Sequence, residues 1–212
     1  SITLIEVKIM GHILDYDGKF INFSNKATDT LIATLLCLVC SIPIITIGAS
    51  TTAYYSVMLK LVKDEESYIT KSFFKAFKEN FKIATIVWLI LGVIGAVLLT
   101  SIYIVLNTKT IGGVFQYALP LYVIIFLFYY MVLSAAFAYI AQFYDGVRRV
   151  LKLSWQFVVK YIWSFLIMTV VDIVMWVIVI KGFTVFIVFL PEISGFVHAY
   201  LLNRMFTKEI KN

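Results

Sequence analysis

Charge is scarce in this sequence. Asp, Glu, Lys and Arg make up 14% of its 212 residues and apolar residues 62%, against about 25% and about 45–50% in a soluble domain. That excludes an ordinary soluble fold, because one globular core cannot bury so many apolar side chains. Cysteine is limited to Cys37 and Cys40, spaced CxxC in "CLVC". A redox role needs this spacing beside a thioredoxin-like βαβ unit, and none is legible, so the pair reads as small buried apolar residues. There is no Gly-rich phosphate loop, no GxSxG and no zinc-ligand spacing, so no cofactor, no metal and no enzymatic activity are expected. The first 27 residues have no apolar h-region and carry Glu6, Lys8, Asp15, Asp17, Lys19 and Lys26, so no signal peptide is expected. The net charge of +6 does not imply nucleic acid, because the basic residues cluster beside apolar runs, as expected of charges retained in the cytoplasm.

What is present is long uncharged sequence. Twenty-four residues separate Lys82 from Asn107 without a charge, and 35 separate Lys109 from Asp145. A membrane-crossing helix needs roughly 20 apolar residues, whereas a β-barrel would alternate in pieces of about ten. The expected class is all-α: a multi-pass transmembrane bundle forming one domain over 1–212, with a cytoplasmic segment at 1–23 and cytoplasmic amphipathic helices at 64–82 and 142–160. Four crossings are expected at Ile83–Leu106, Val114–Ala141, Tyr161–Ile180 and Gly182–Asn203, with Pro191 kinking the last. The 30 uncharged residues between Asp29 and Lys60 are too long for one upright crossing and short for two. Two crossings, Ser24–Pro43 and Ile44–Lys63, bent at Pro43 and Gly48, place 16 Lys and Arg inside and two, Lys109 and Lys181, outside. The positive-inside rule favours that arrangement, giving six segments and two cytoplasmic termini. A re-entrant hairpin that dips and returns is the alternative. The small residues of "GASTTA", Gly48 to Ala53, suit close helix packing in lipid.

The stretch Ser41 to Ile90 carries Pro43, Thr46, Gly48, Ala53, Tyr54 and Tyr55. A charged turn follows, then Phe73, Phe74, Phe77, Lys78, Asn80, Phe81, Lys82 and Trp88. In this order they resemble the signature of the YesL-like family of small bacterial membrane proteins, and "GFVHAYLLNRMF", Gly195 to Phe206, resembles the family ending. The resemblance implies a bacterial cell-membrane protein with Pro43, Gly48, Tyr54 and Tyr55 as a packing motif. It also implies the company of carbohydrate ABC importers. The expected function is therefore an accessory membrane subunit of an oligosaccharide importer, with lipid and importer permease subunits as partners. A sensor or regulator of sugar uptake, or a small carrier, remain the alternatives.

Three places are candidates for function. Lys71, Lys75, Lys78 and Lys82 share one helical face, a basic stripe suited to an anionic leaflet or a docked partner. Simple interfacial anchoring is the bland reading. Around Arg148 and Arg149, the Asp145–Gly146 pair partly matches the loop by which sugar-importer permeases engage their ATPase, the remaining possible partner. A basic membrane-edge helix is the simpler account. Finally, Asp172 and Glu192 each stand ten positions from Gly182 in adjacent segments, which in a regular hairpin sets both at one depth. An acid in mid-membrane is costly unless answered. A protonated carboxyl bonded to a tyrosine or threonine competes here with a ligand cavity or a subunit contact, and His198 stands close enough in sequence to join either.

Overall fold

The computed structural model describes residues 25–65, 68–107, 114–143, 145–181 and 190–211, with the side chains at 114–118, 190–193 and 211 outside the description. Among these the fold is helical throughout. The helices are α1 (25–40), α2 (Ile47–Val62), α3 (Ile69–Asn107), α4 (Val114–Gln142), α5 (Val147–Lys160), α6 (Ile162–Ile180) and α7 (Leu190–Lys211), with a 3₁₀ turn at Ile44–Thr46.

The first uncharged run turns back on itself. Helix α1 stops at Cys40 and Pro43 precedes the 3₁₀ turn, whose Thr46 hydroxyl donates to the carbonyl oxygens of Cys40 and Pro43. Proline cannot extend the helix, and the threonine satisfies carbonyls that the break sets free. Lys26 at the start of α1 pairs with Asp64 just beyond the end of α2, so α1 and α2 form an antiparallel hairpin. At that end Asp64 has φ 55, with the Asp64 N–H on the Leu61 oxygen and the Glu65 N–H on the Lys60 oxygen. This paired C-terminal closure usually takes glycine at the left-handed position. The half-buried thiols Cys37 and Cys40 are free and pack on the core of the hairpin, with Ala33, Ala53, Val57, Met58 and Phe73.

The hairpin tip is apolar and bare: Ile42 is 77% and Ile44 73% exposed. It is pinned to α3, where Trp88 Nε1 donates to the Ile44 carbonyl oxygen at 2.7 Å. A Cβ at Gly48 would overlap the Ala84 carbonyl oxygen and Trp88 Cβ, so only glycine permits this approach. Trp88 lies six positions past Lys82, about 9 Å along α3, and nineteen before its end, about 28 Å. The hairpin therefore reaches the start of α3's uncharged half and stops.

Among the described residues three helices are long and apolar enough to cross a membrane: Ile69–Asn107, Leu119–Gln142 and Ile162–Ile180. This corrects the expectation of six. Helices α1 and α2 have 16 residues each, about 24 Å, short of a hydrocarbon layer of about 30 Å. Most of α2 is buried against other helices, so its apolar character answers to protein rather than lipid. In α7 the final turns carry Arg204, Lys208, Glu209 and Lys211, and 182–189, the start of the expected fourth crossing, lies outside the described residues. Pro191 is the second residue of α7, where its missing N–H is harmless. The segment 1–23 also lies outside the description.

The amphipathic stretch expected at 64–82 starts at Ile69 and is not a separate element. It runs without a break into the membrane helix, because nothing between Lys82 and Ile83 interrupts helical hydrogen bonding. Helix α5 occupies the second loop, burying Val150, Ser154, Phe157 and Val158. A main core joins α2 through α7 around Phe157, Phe165, Leu202 and Phe206.

Candidate functional site

The basic stripe forms as expected: Lys71, Lys75, Lys78 and Lys82 are all exposed on the first part of α3. Of the neighbouring aromatics, Phe73 is fully buried and Phe77 packs on the core, while Phe74 and Phe81 face outward beside the lysines. Lys60, Lys63, Glu65, Lys75, Glu79 and Asn80 line a polar groove of about 300 Å³ that reaches Ser56, Leu59 and Gln142. In the second loop Arg148 is exposed. Asp145 accepts a hydrogen bond from the Tyr139 hydroxyl at 2.8 Å and pairs with Arg149 at 3.3 Å. The carboxylate is thus occupied in holding the start of α5. At the other end of α5, Lys160 and the Tyr161 hydroxyl both bind Glu209 of α7. The Lys160 hydrogen bond holds the Glu209 carboxyl below its ordinary range, with burial opposing it.

The membrane acids are arranged differently from the expected pair. Tyr161 meets Glu209 and Asp172 meets His198, which fixes an antiparallel register in which Asp172 lies opposite His198. The regular-hairpin estimate set it opposite Glu192. Glu192 stands six positions nearer the N-terminus of α7, about 9 Å away along the axis, and its side chain lies outside the described residues. The difference arises because the helices do not pair symmetrically about Gly182: both the Asp172–His198 and the Tyr161–Glu209 contacts centre on a point further along the chain.

Asp172 is 9% and His198 5% exposed, ten positions into a 19-residue helix. Tyr130 of α4 donates to Asp172 Oδ2 at 2.8 Å. His198 Nε2 lies 3.3 Å from Asp172 Oδ1 and 3.3 Å from the Met168 carbonyl oxygen. Since both are acceptors, Nε2 carries the hydrogen. His198 Nδ1 is 3.4 Å from the Tyr55 hydroxyl of α2, which is 2.8 Å from Ser134 Oγ of α4. A single polar chain thus runs Ser134, Tyr55, His198, Asp172, Tyr130 and ties four helices together. Every member can be satisfied at once: Ser134 donates to Tyr55, Tyr55 to Nδ1, and Nε2–H and Tyr130 to the two carboxylate oxygens. Buried polar groups survive in a low-dielectric interior only when paired in this way.

Tyr55 belongs to the packing motif, yet its hydroxyl is a link in this chain. Tyr54 packs against Gly195, where a Cβ would overlap its hydroxyl. Tyr130 and Ser134 were missed from sequence, although their i, i+4 spacing puts both on one face of an otherwise apolar helix, a signal that was available. Among the described residues no cluster of three His, Cys, Asp or Glu is arranged for a metal ion.

No curated protein and no solved structure matches the chain. The family described as "Protein of unknown function, DUF624" matches over residues 30–102, which hold the hairpin, the basic stripe and Trp88.

Proposed function

We infer that this chain is an accessory membrane subunit of a bacterial carbohydrate importer of the ABC type. The YesL-like resemblance supplies the system. The observation that carries a subunit role is the exposed lysine face of α3, standing on the part of the helix that precedes its uncharged span and flanking a polar groove. Asp172 is less suited to the subunit contact expected of it, because His198 and Tyr130 already answer it from within the chain. The docking role moves to the cytoplasmic end. Affinity purification from native membranes with subunit identification tests this: importer permease subunits are expected to accompany the wild type and to be lost when Lys71, Lys75, Lys78 and Lys82 are replaced by Gln. Recovery of the same subunits by the quadruple variant removes the lysine face from the contact. A chain that restores sugar-dependent signalling but brings down no partner is instead a sensor.

In the accompanying topology α3, α4 and α6 cross, the stretch Gly182–Asn203 expected from sequence makes the fourth crossing, and the α1–α2 hairpin dips from the cytoplasmic side and returns. Both termini are then cytoplasmic. With Cys37 and Cys40 replaced, a cysteine at Ile44 is expected to resist impermeant thiol reagents applied to intact cells, while one at Lys181 reacts. Labelling at Ile44 from outside would show that the hairpin crosses.

A further inference from the structure

A cavity of about 400 Å³ opens where the ends of α4, α5 and α7 meet. Its walls are of two kinds. Tyr139, Phe143, Leu153 and Phe157 make an apolar side, and Gln156, Lys160 and Glu209 a polar one. Rings facing a few convergent polar groups, in a space of this size, are the make-up of a small-molecule site. Much of the lining is already fixed. The hydroxyl of Tyr139 is tied to Asp145, and Phe157 stacks on Phe206 with ring centroids 5.2 Å apart and meets Phe165 edge-on. Lys160 and Tyr161 hold Glu209. A ligand entering here therefore has little side-chain freedom to freeze out.

The polar side decides the class of ligand. Both bonds to Glu209 fall on Oε1, so Oε2 is left to accept another. Lys160 has three N–H groups and spends one on that carboxylate. The exposed Gln156 amide adds a donor and an acceptor. Donors and acceptors thus stand side by side, while the charges of Lys160 and Glu209 cancel. An anion would be repelled by Glu209 as it is drawn to Lys160, and a cation the reverse, so neither gains net attraction. Hydroxyl groups, each donor and acceptor at once, suit such a rim. The half-buried rings of Tyr139 and Phe143 suit the C–H faces of the molecule that carries them.

We propose that this cavity binds an uncharged sugar, its hydroxyls on Glu209, Lys160 and Gln156 and its apolar face toward Tyr139 and Phe143. The site goes beyond the importer reading and stands without it. None of the four lysines of the α3 face lines the cavity, and binding is measured on the chain alone, whereas the importer contact is read by co-purification. The variant with all four lysines replaced is therefore expected to bind the sugar as wild type does.

The test uses the full chain in lipid nanodiscs, with glucose, galactose, mannose and maltose as probes followed by saturation-transfer NMR and calorimetry. Wild type is expected to bind at least one of them, and Gln156→Ala to weaken that binding several-fold. Leu153→Trp, which fills the cavity, is expected to abolish it. If that variant does not fold, Gln156→Trp blocks the same cavity from its exposed rim. Glucosamine and gluconate, charged counterparts of glucose, are expected to bind no more tightly than the uncharged sugars. If folded wild type binds none of the four probes, or if the blocked variant binds them as wild type does, the site is overturned. Tighter binding of either charged probe overturns the uncharged class.

Discussion

Two antiparallel helix pairs of the described structure, α1–α2 and α6–α7, are similar in apolar composition and are held in place by different means. The α1–α2 hairpin, closed at its base by Lys26 and Asp64, is seated on α3 by a small residue: Gly48 lets α2 lie against the Ala84 carbonyl, and a Trp88 hydrogen bond fixes the tip. In the α6–α7 hairpin a carboxylate and an imidazole meet across the interface, and tyrosines from α4 and α2 complete their bonding. The first is steric and sits beside the start of α3's uncharged half. The second is polar and sits at the middle of α6. Apolar content alone does not distinguish a helix wrapped by protein from one wrapped by lipid; the distinguishing sign is where the polar atoms are and what satisfies them.

The largest expected effect breaks the polar hairpin. His198→Leu removes one of the two partners of Asp172 and leaves only Tyr130, so it should lower stability by about 3 kcal/mol, the upper end of the cost of a buried polar group that loses its hydrogen bond, read as a lower denaturation midpoint in detergent. Adding Asp172→Asn should recover most of that loss, because the asparagine still accepts from Tyr130 and carries no charge. A double variant no more stable than His198→Leu alone would mean that the two residues are not coupled.

Gly48→Leu breaks the steric hairpin. The new side chain meets backbone and Cβ atoms that cannot swing aside, so a loss of about 1–3 kcal/mol is expected. Gly195→Ala meets only the far end of Tyr54 and should cost less. A Gly48→Leu protein as stable as wild type would place the hairpin away from α3.

Trp88→Phe sharpens the comparison by removing one hydrogen bond and little volume. It should cost about 1 kcal/mol and raise hydrogen exchange around Ile44, leaving the α6–α7 hairpin unchanged. The smallest effect lies where the end of α5 meets the end of α7. Glu209, held low by Lys160, contributes stability that is present above its unfolded-state value of about 4.3 and lost as pH falls through its folded value. The melting temperatures of wild type and Glu209→Gln should therefore differ at neutral pH and converge in acid.

The membrane class, the basic stripe and the tight packing at Gly48 were readable in the sequence, because each depends on residues close together in the chain. The pairing of Asp172 was not. It depends on the register between α6 and α7, where a displacement of a few residues shifts the pairing by about 9 Å and exchanges a second acid for a histidine. The shallow reach of the hairpin was unreadable for a similar reason: counting apolar residues gives a length, and only the Trp88–Ile44 bond shows where that length is anchored.

Helix α3 is one uninterrupted rod, and Trp88 stands nineteen residues from either end of it. The hairpin tip thus grips the rod at its midpoint, with the lysine face on one arm and the bare apolar turns on the other. The first arm is packed along α2 through Ile69, Phe73 and Ala76, and the second is braced by Tyr129 of α4 at Leu91, so the two arms of one helix answer to different neighbours.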